Sequence, residues 1–190
     1  MSACSFRGWH LSVGRCFLLV ALLALAAPSA ALAAEGRDPY QHFFASGTDD
    51  FRAELADAKR AGKKALFVMF EQDGCSGCLY MKENVLNRPQ VQKFYRDHFI
   101  NFAINIYGSV PFDDFEGRKV TEKTFAQATD IKGTPTLIFY DLEGREIVRQ
   151  LGAIRNVDEF ILFGEFVATG AYRSRKLADY IRERKAGKGS

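Results

Sequence analysis

The sequence has little of what would make it a disulfide-stapled scaffold, a histidine-rich metal site or a nucleic-acid binder. It holds four cysteines and three histidines in 190 residues, and its formal net charge is only +3. So weak a charge gives no electrostatic case for a polyanionic partner, and no nucleic acid is expected. The main apolar run, Phe17 to Ala27, is about half the ~20 residues a transmembrane helix needs. There is no internal repeat and no linker-like stretch that would divide two domains. With a near-average composition, one domain is expected.

What is present begins with a leader. Arg7 and Arg15 precede the apolar run, and Ala31-Leu32-Ala33 supplies a small-x-small cleavage pattern. Residues 1–33 therefore read as a signal peptide, not as a structural helix. No Arg-Arg pair marks twin-arginine export. Cys16 stands before the apolar run and behind Arg15, which is not a lipoprotein pattern. Cleavage after Ala33 leaves 190 − 33 = 157 residues, and it lowers the charge from +3 to +1 by removing Arg7 and Arg15. A chain of that size buries about two-thirds of its unfolded surface, enough for one core. Cys4 and Cys16 leave with the leader, so the exported, periplasmic protein keeps only Cys75 and Cys78. One closely spaced pair staples no large loop, so its expected use is chemical.

Residues 34–48 read as a flexible polar lead-in, 49–185 as the folded domain and 186–190 as a disordered tail. Thr48 or Asp49 would cap a helix running to about Lys59, with Phe51, Leu55 and Ala58 on one face and Gly62 ending it. Ala65 to Phe70 is a continuous apolar run of strand length, the pattern of a strand covered on both faces. A helix follows with Cys78, Met81 and Val85 on one stripe. Pro89 opens another, carrying Val91, Phe94, Tyr95 and Phe99. Ile100 to Ile106 alternates as a second strand. Residues 107–120 read as irregular, and their acids Asp113, Asp114 and Glu116 suit a solvated loop or a partner-recognition loop. A short helix from Thr121 to Thr129 comes next. Leu137–Tyr140 and Glu146–Leu151 form an antiparallel hairpin around Asp141-Leu142-Glu143-Gly144. A helix started by Asn156 or Asp158 ends at Gly170. A last segment to Lys185 sets Leu177, Tyr180 and Ile181 inward and its basic residues toward solvent.

The two cysteines thus sit where a strand turns into a helix. Thiol–disulfide exchange needs an exposed thiolate and a second thiol close enough to resolve the mixed disulfide. At a helix start, unpaired N–H groups and the helix dipole stabilise a thiolate on Cys75. Cys78, one turn on and at the head of the buried stripe, is placed to attack the Cys75 sulfur. Gly74 and Gly77 allow close backbone approach. Two blander readings are half a zinc site and a structural disulfide. Zinc needs two further ligands, and His42 and His98 lack ligand spacing to the cysteines. A structural disulfide here would close only a very short loop. Pro135, straight before a strand, is compatible with either peptide isomer.

Phe70-Glu71-Gln72-Asp73-Gly74-Cys75-Ser76-Gly77-Cys78, with Gly133-Thr134-Pro135-Thr136 and Asp141-Leu142-Glu143-Gly144-Arg145, resembles the thioredoxin superfamily. More narrowly it resembles the exported SoxW-type, thioredoxin-like branch. Asn105-Ile106-Tyr107-Gly108, the acidic insert before Thr121-Glu122-Lys123, and Thr169-Gly170-Ala171-Tyr172 are similar to that branch too. The resemblance spans about Asp49 to Ile181. It implies an α/β thioredoxin-like fold: a central mixed four-stranded sheet flanked by helices, with an N-terminal helix and a C-terminal helical extension. It also implies that Pro135 is cis and faces the dithiol, and that the Thr134 backbone pairs with an incoming substrate strand. Two departures stand out. Thioredoxin has Trp-Cys-Gly-Pro-Cys, where this chain has Gly74 and Ser76-Gly77. Thioredoxin also has a buried aspartate six residues before the first cysteine, where this chain has Met69. Glu71, on the same strand face as Met69, is either the proton acceptor for Cys78 or a solvated residue at the strand end.

The resemblance implies a periplasmic protein-disulfide reductase with no cofactor beyond the redox-active Cys75–Cys78 pair. Its clients would be disulfide-containing exported proteins, with sulfur-oxidation proteins and apocytochromes as candidates. Its electron donor would be a membrane protein of the DsbD or CcdA type. A disulfide oxidant or isomerase is the alternative within the same chemistry. A redox-inert or metal-carrying binding module is the alternative of another class.

Overall fold

The computed structural model describes residues 36–47 and 49–187. The leader over 1–33, the possible cap Thr48 and residues 188–190 lie outside them. In chain order the elements are α1 (Pro39–His42), α2 (Phe51–Arg60), β1 (Ala65–Glu71), α3 (Ser76–Met81, running on as a π-helical turn, Lys82–Leu86), α4 (Pro89–His98), β2 (Phe99–Asn105), β3 (Pro111–Asp113), β4 (Lys119–Thr121), α5 (Glu122–Ala128), β5 (Thr136–Tyr140), β6 (Glu146–Leu151), α6 (Val157–Ala168), a 3-10 turn (Ala171–Arg173) and α7 (Leu177–Ala186).

Strand β1 is central because all seven of its residues are buried. Its alternation sorts the core into two layers. Ala65, Phe67 and Met69 meet α3, α4 and α6 through Cys78, Met81, Val85, Tyr95 and Phe160. Leu66, Val68 and Phe70 meet α2 and α5 through Phe51, Leu55 and Phe125. The sheet order is β2-β1-β5-β6. Strand β2 runs parallel to β1, while β5 and β6 run antiparallel to their neighbours. This is the expected mixed four-stranded sheet flanked by helices. Aromatic rings fill the first layer. Tyr95 lies flat on Phe160 at 4.3 Å between centroids, and its buried hydroxyl donates to the Phe160 carbonyl at 2.7 Å. A buried hydroxyl left unpaired would cost about 1–3 kcal/mol, so this bond is part of what makes the site tolerable.

Four expectations need correction. The described part of the lead-in holds a helix: Asp38 caps α1 by accepting from the Tyr40 N–H, with Pro39 opening it. Phe43, 1% exposed, then enters the core edge-on to Phe67, and Asn101 Nδ2 donates to its carbonyl at 3.1 Å. The cap of α2 is Asp50, not Thr48 or Asp49; it accepts from the Arg52 and Ala53 amides. The stretch read as irregular contains the hairpin β3–β4. Its Asp114 is buried, taking the Glu116 and Arg118 amides and Arg118 Nε, while Phe115 stacks on Phe51 at 4.7 Å. That part of the insert is fastened to the fold and not solvated. Finally, Ala186 belongs to α7, and the Gly187 N–H still bonds the Glu183 carbonyl.

Candidate active site

Strand β1 delivers the chain to the end of the sheet at Glu71, and a tight turn reverses it into α3. Gly74 takes φ +73° there, a conformation that favours glycine. Cys75 is the N-cap of α3. Its Sγ accepts the Cys78 N–H at 3.1 Å. A disulfide joins Cys75 to Cys78, with 5.2 Å between their Cα atoms. Cys75 is half-buried, whereas Cys78 is 1% exposed and packs with Met81 and Val85. In this oxidised form Cys75 Sγ stands where a thiolate would stand after reduction. The N–H of Cys78 and the helix start both favour negative charge at that point.

Fifty-odd residues on, the chain returns to the same place. The Thr134–Pro135 peptide is cis, and Pro135 is buried at the entrance to β5. A Cβ added to Gly77 would lie 3.0 Å from Pro135 Cδ, so the proline rests directly on the first turn of α3. Thr136 Oγ1 donates to the Gly133 carbonyl at 2.6 Å, and the Gly152 N–H donates to the Pro135 carbonyl at 2.8 Å. These bonds fix the loop from both sides. The backbone N–H and C=O of Thr134 enter no hydrogen bond among the described residues.

Glu71 is not solvated. It is 9% exposed, at the end of the row Ala65, Phe67, Met69. The Tyr40 hydroxyl donates to its Oε1 at 2.6 Å, and Lys82 Nζ lies 2.9 Å from its Oε2. Lys82 also donates to Tyr40 Oη at 3.0 Å and sits 5.1 Å from the centre of that ring. Burial pushes the Tyr40 hydroxyl up, and the bond to the Glu71 carboxylate pushes it further. Burial alone would pull Lys82 down, but its bonds to Tyr40 and Glu71 outweigh this and leave it raised. Both groups therefore keep their protons in the neutral range. Neither was singled out in the sequence. Tyr40 fell in the stretch read as loosely ordered. Lys82 carried a readable signal, since it stands four residues after Cys78 and so on the same helical face.

Exposed apolar side chains gather at this end of the sheet. Glu71 pairs with Asn105 and Thr136 pairs with Leu151, so the ends of β1, β2 and β6 and the start of β5 lie together. Leu79 on α3, Tyr107 just past β2 and Leu151 at the end of β6 are each more than half exposed, as is Val110, which precedes β3. Among the described residues no group of three or more His, Cys, Asp or Glu side chains is gathered to hold a metal ion. Among them, too, no helix is long and apolar enough to cross a membrane.

Comparison with known proteins adds the family. The family model for the thioredoxin-like domain matches residues 51–168. A thioredoxin-fold protein from Helicobacter pylori is similar at 22% identity and a TM-score of 0.63, over 78% of this chain and 94% of that one. The C-terminal domain of DsbD from Neisseria meningitidis, in its oxidised form, is similar at 19% identity and a TM-score of 0.46, over 62% and 92%. A thioredoxin from Thermus thermophilus is similar at 22% identity and a TM-score of 0.47, over 63% and 82%. No curated protein sequence matches the chain. With the matched region spanning both the dithiol and Pro135, the chain belongs to the thioredoxin-like domain family.

Proposed function

We propose that the protein is a thiol–disulfide oxidoreductase that reduces disulfides in exported partner proteins. The observation that carries this reading is the unequal pair: Cys75 half-exposed at the cap of α3, Cys78 buried one turn on and bonded to it. In the reduced protein the Cys75 thiolate attacks one sulfur of a client disulfide. A Cys75–client bond forms, and the other client sulfur leaves as a thiolate that takes up a proton. Cys78 then loses its proton and attacks Cys75 Sγ. The Cys75–Cys78 bond forms, the second client thiolate departs and is protonated, and two electrons have passed to the client.

The unpaired Thr134 backbone beside Pro135 supports strand-like pairing with a client segment. The exposed Leu79, Tyr107, Val110 and Leu151 support a polypeptide client over a small polar disulfide. The leader-like residues 1–33 support a periplasmic setting. There the oxidised pair needs re-reduction by a membrane donor of the DsbD or CcdA kind, with no cofactor besides the dithiol. Membership of the SoxW-type branch, with sulfur-oxidation proteins or apocytochromes as clients, is the narrower form of the same proposal.

Equilibration with glutathione buffers tests the direction. A reductase has a potential near that of thioredoxin, about −270 mV, and a value near −120 mV would make the protein an oxidant. Insulin reduction tests the site, and activity that survives Cys75→Ser would remove the assignment.

A further inference from the structure

After β6 the chain follows the dithiol helix. The Gly152 N–H is tied to the Pro135 carbonyl. Ala153 comes next, and a Cβ on Gly77 would lie 3.5 Å from its own Cβ. Two residues on, Arg155 Cζ stands 4.6 Å from the centre of the Tyr80 ring. Gly77 and Tyr80 are three residues apart in α3, so they share one helical face about 4.5 Å apart along the axis. Residues 152–155 therefore run along that face, and Arg155 stands about one helical turn beyond the contact with Pro135.

Arg155 is exposed, and among the described residues no carboxylate pairs with it. Lys132, on the other approach to Pro135, is paired with Asp130. A guanidinium over a ring face is held by the ring and keeps its N–H donors for a carboxylate. Asp73, two residues ahead of Cys75 in the turn, is exposed and opposite in sign.

We infer that Arg155, positioned by Tyr80, is a specificity-determining residue, which favours client disulfides with a Glu or Asp about two residues from the attacked cysteine, on one side of it. The inference rests on the exchange reading above and adds to it the charge of the client. An extended client segment rises about 3.3 Å per residue, so its second residue from the cysteine is displaced about 7 Å. With the segment paired at Thr134, that residue comes within a side chain's length of a guanidinium one helical turn from the Pro135 contact. An acid there is attracted and a lysine there is repelled. The pair is open to solvent, so the effect is a few-fold on the rate of attack and is screened by salt.

The experiment measures the second-order rate at which the reduced protein attacks alanine-based peptides. Each peptide carries one cysteine in a disulfide with 2-thiopyridine, whose release is followed by absorbance. Glu, Gln or Lys stands two residues before the cysteine or two residues after it. The readout is the ratio of the Glu rate to the Lys rate, because a change in folding or in the Cys75 thiolate alters both rates alike. At one of the two positions the wild-type ratio is expected to be about ten at low salt, and to fall to about one near 1 M salt. Arg155→Gln brings the low-salt ratio toward one, and Arg155→Glu inverts it. Tyr80→Leu lowers it part of the way, while Tyr80→Phe, which keeps a ring under the guanidinium, retains it. A wild-type ratio of one at both positions overturns the inference while leaving the exchange reading intact. So does a ratio that survives Arg155→Gln, which would place the charge readout elsewhere. A full ratio in Tyr80→Leu removes the role of Tyr80. A wild-type protein that forms no peptide adduct at Cys75 removes the exchange reading itself, and the inference with it.

Discussion

Gly77 touches Pro135: a Cβ on the glycine would lie 3.0 Å from the proline Cδ and 3.5 Å from the Ala153 Cβ. The dithiol helix is thus seated on the wall that faces a client, with no room for a side chain between them. Replacing an ordinary helical glycine by alanine gains about 1 kcal/mol. At Gly77 the methyl group has to push Pro135 or the start of α3 aside, and such overpacking costs about 1–3 kcal/mol. Gly77→Ala is expected to lower the urea midpoint and to slow insulin reduction, since Cys75 shifts against Thr134. A raised midpoint with full activity would show that the contact does not constrain the site.

The two cysteines differ in burial, so their variants should fail differently. Cys78→Ser keeps the half-exposed Cys75 and loses the resolving thiol. It is expected to accumulate mixed disulfides with clients, visible as adducts by non-reducing electrophoresis and mass spectrometry. Cys75→Ser keeps only a thiol that is 1% exposed and is expected to form almost none. Equal adduct yields from the two would reverse or cancel the assigned roles.

Much of this arrangement was legible beforehand. The run from Ala65 to Phe70 has no polar interruption, and the stripe Cys78, Met81, Val85 has a clear helical period, so the strand, the helix and the ranking of the cysteines followed. The rest was hidden for stated physical reasons. Helix α1 has four residues and strands β3 and β4 have three each, too few for any period to show. The burial of Glu71 depends on Tyr40, 31 residues earlier, and on Lys82, 11 residues later; strand alternation could place Glu71 on the face of Met69 but could not say what covers it. Asp114 looked like one of several loop acids, and only its capture of the Arg118 amide and guanidinium distinguishes it.

Asp114 also yields a pH dependence. Burial alone would push its carboxyl up. The Arg118 amide, the Arg118 guanidinium and the Glu116 amide outweigh burial and leave it below the usual aspartate range. A carboxyl depressed in the folded state contributes stability that is fully present above its unfolded value, about 3.9. That contribution is lost as pH falls below this value and through the lower folded one. Asp114→Asn is expected to cost about 1–3 kcal/mol at neutral pH, as a charged acceptor of buried hydrogen bonds is lost. The difference from wild type should shrink below pH 4. Urea midpoints of both proteins from pH 3 to 7 test this, and a constant difference would mean that the ionised carboxylate is not what holds the insert.

A second glycine tests the same layer of the core further from the dithiol turn, between α4 and α6. Gly164 lies within α6, where alanine should be favoured by helix propensity. Yet a Cβ there would meet Phe94 Cε1 at 2.7 Å and Tyr95 Cζ at 3.1 Å. Phe94 is half-buried and its ring tip can swing away, but Tyr95 cannot yield easily, being stacked on Phe160 and bonded to the Phe160 carbonyl. Gly164→Ala is therefore expected to destabilise by about 1–3 kcal/mol despite its better propensity. Phe94→Leu in the same chain should restore only part of the loss, because it relieves the closer contact and leaves the one with Tyr95. The dithiol lies at the end of the sheet, so the exchange rate of the folded protein should be kept in both variants. Full recovery in the double variant would assign the whole clash to Phe94, and a stabilised single variant would show that α4 and α6 can separate at no cost.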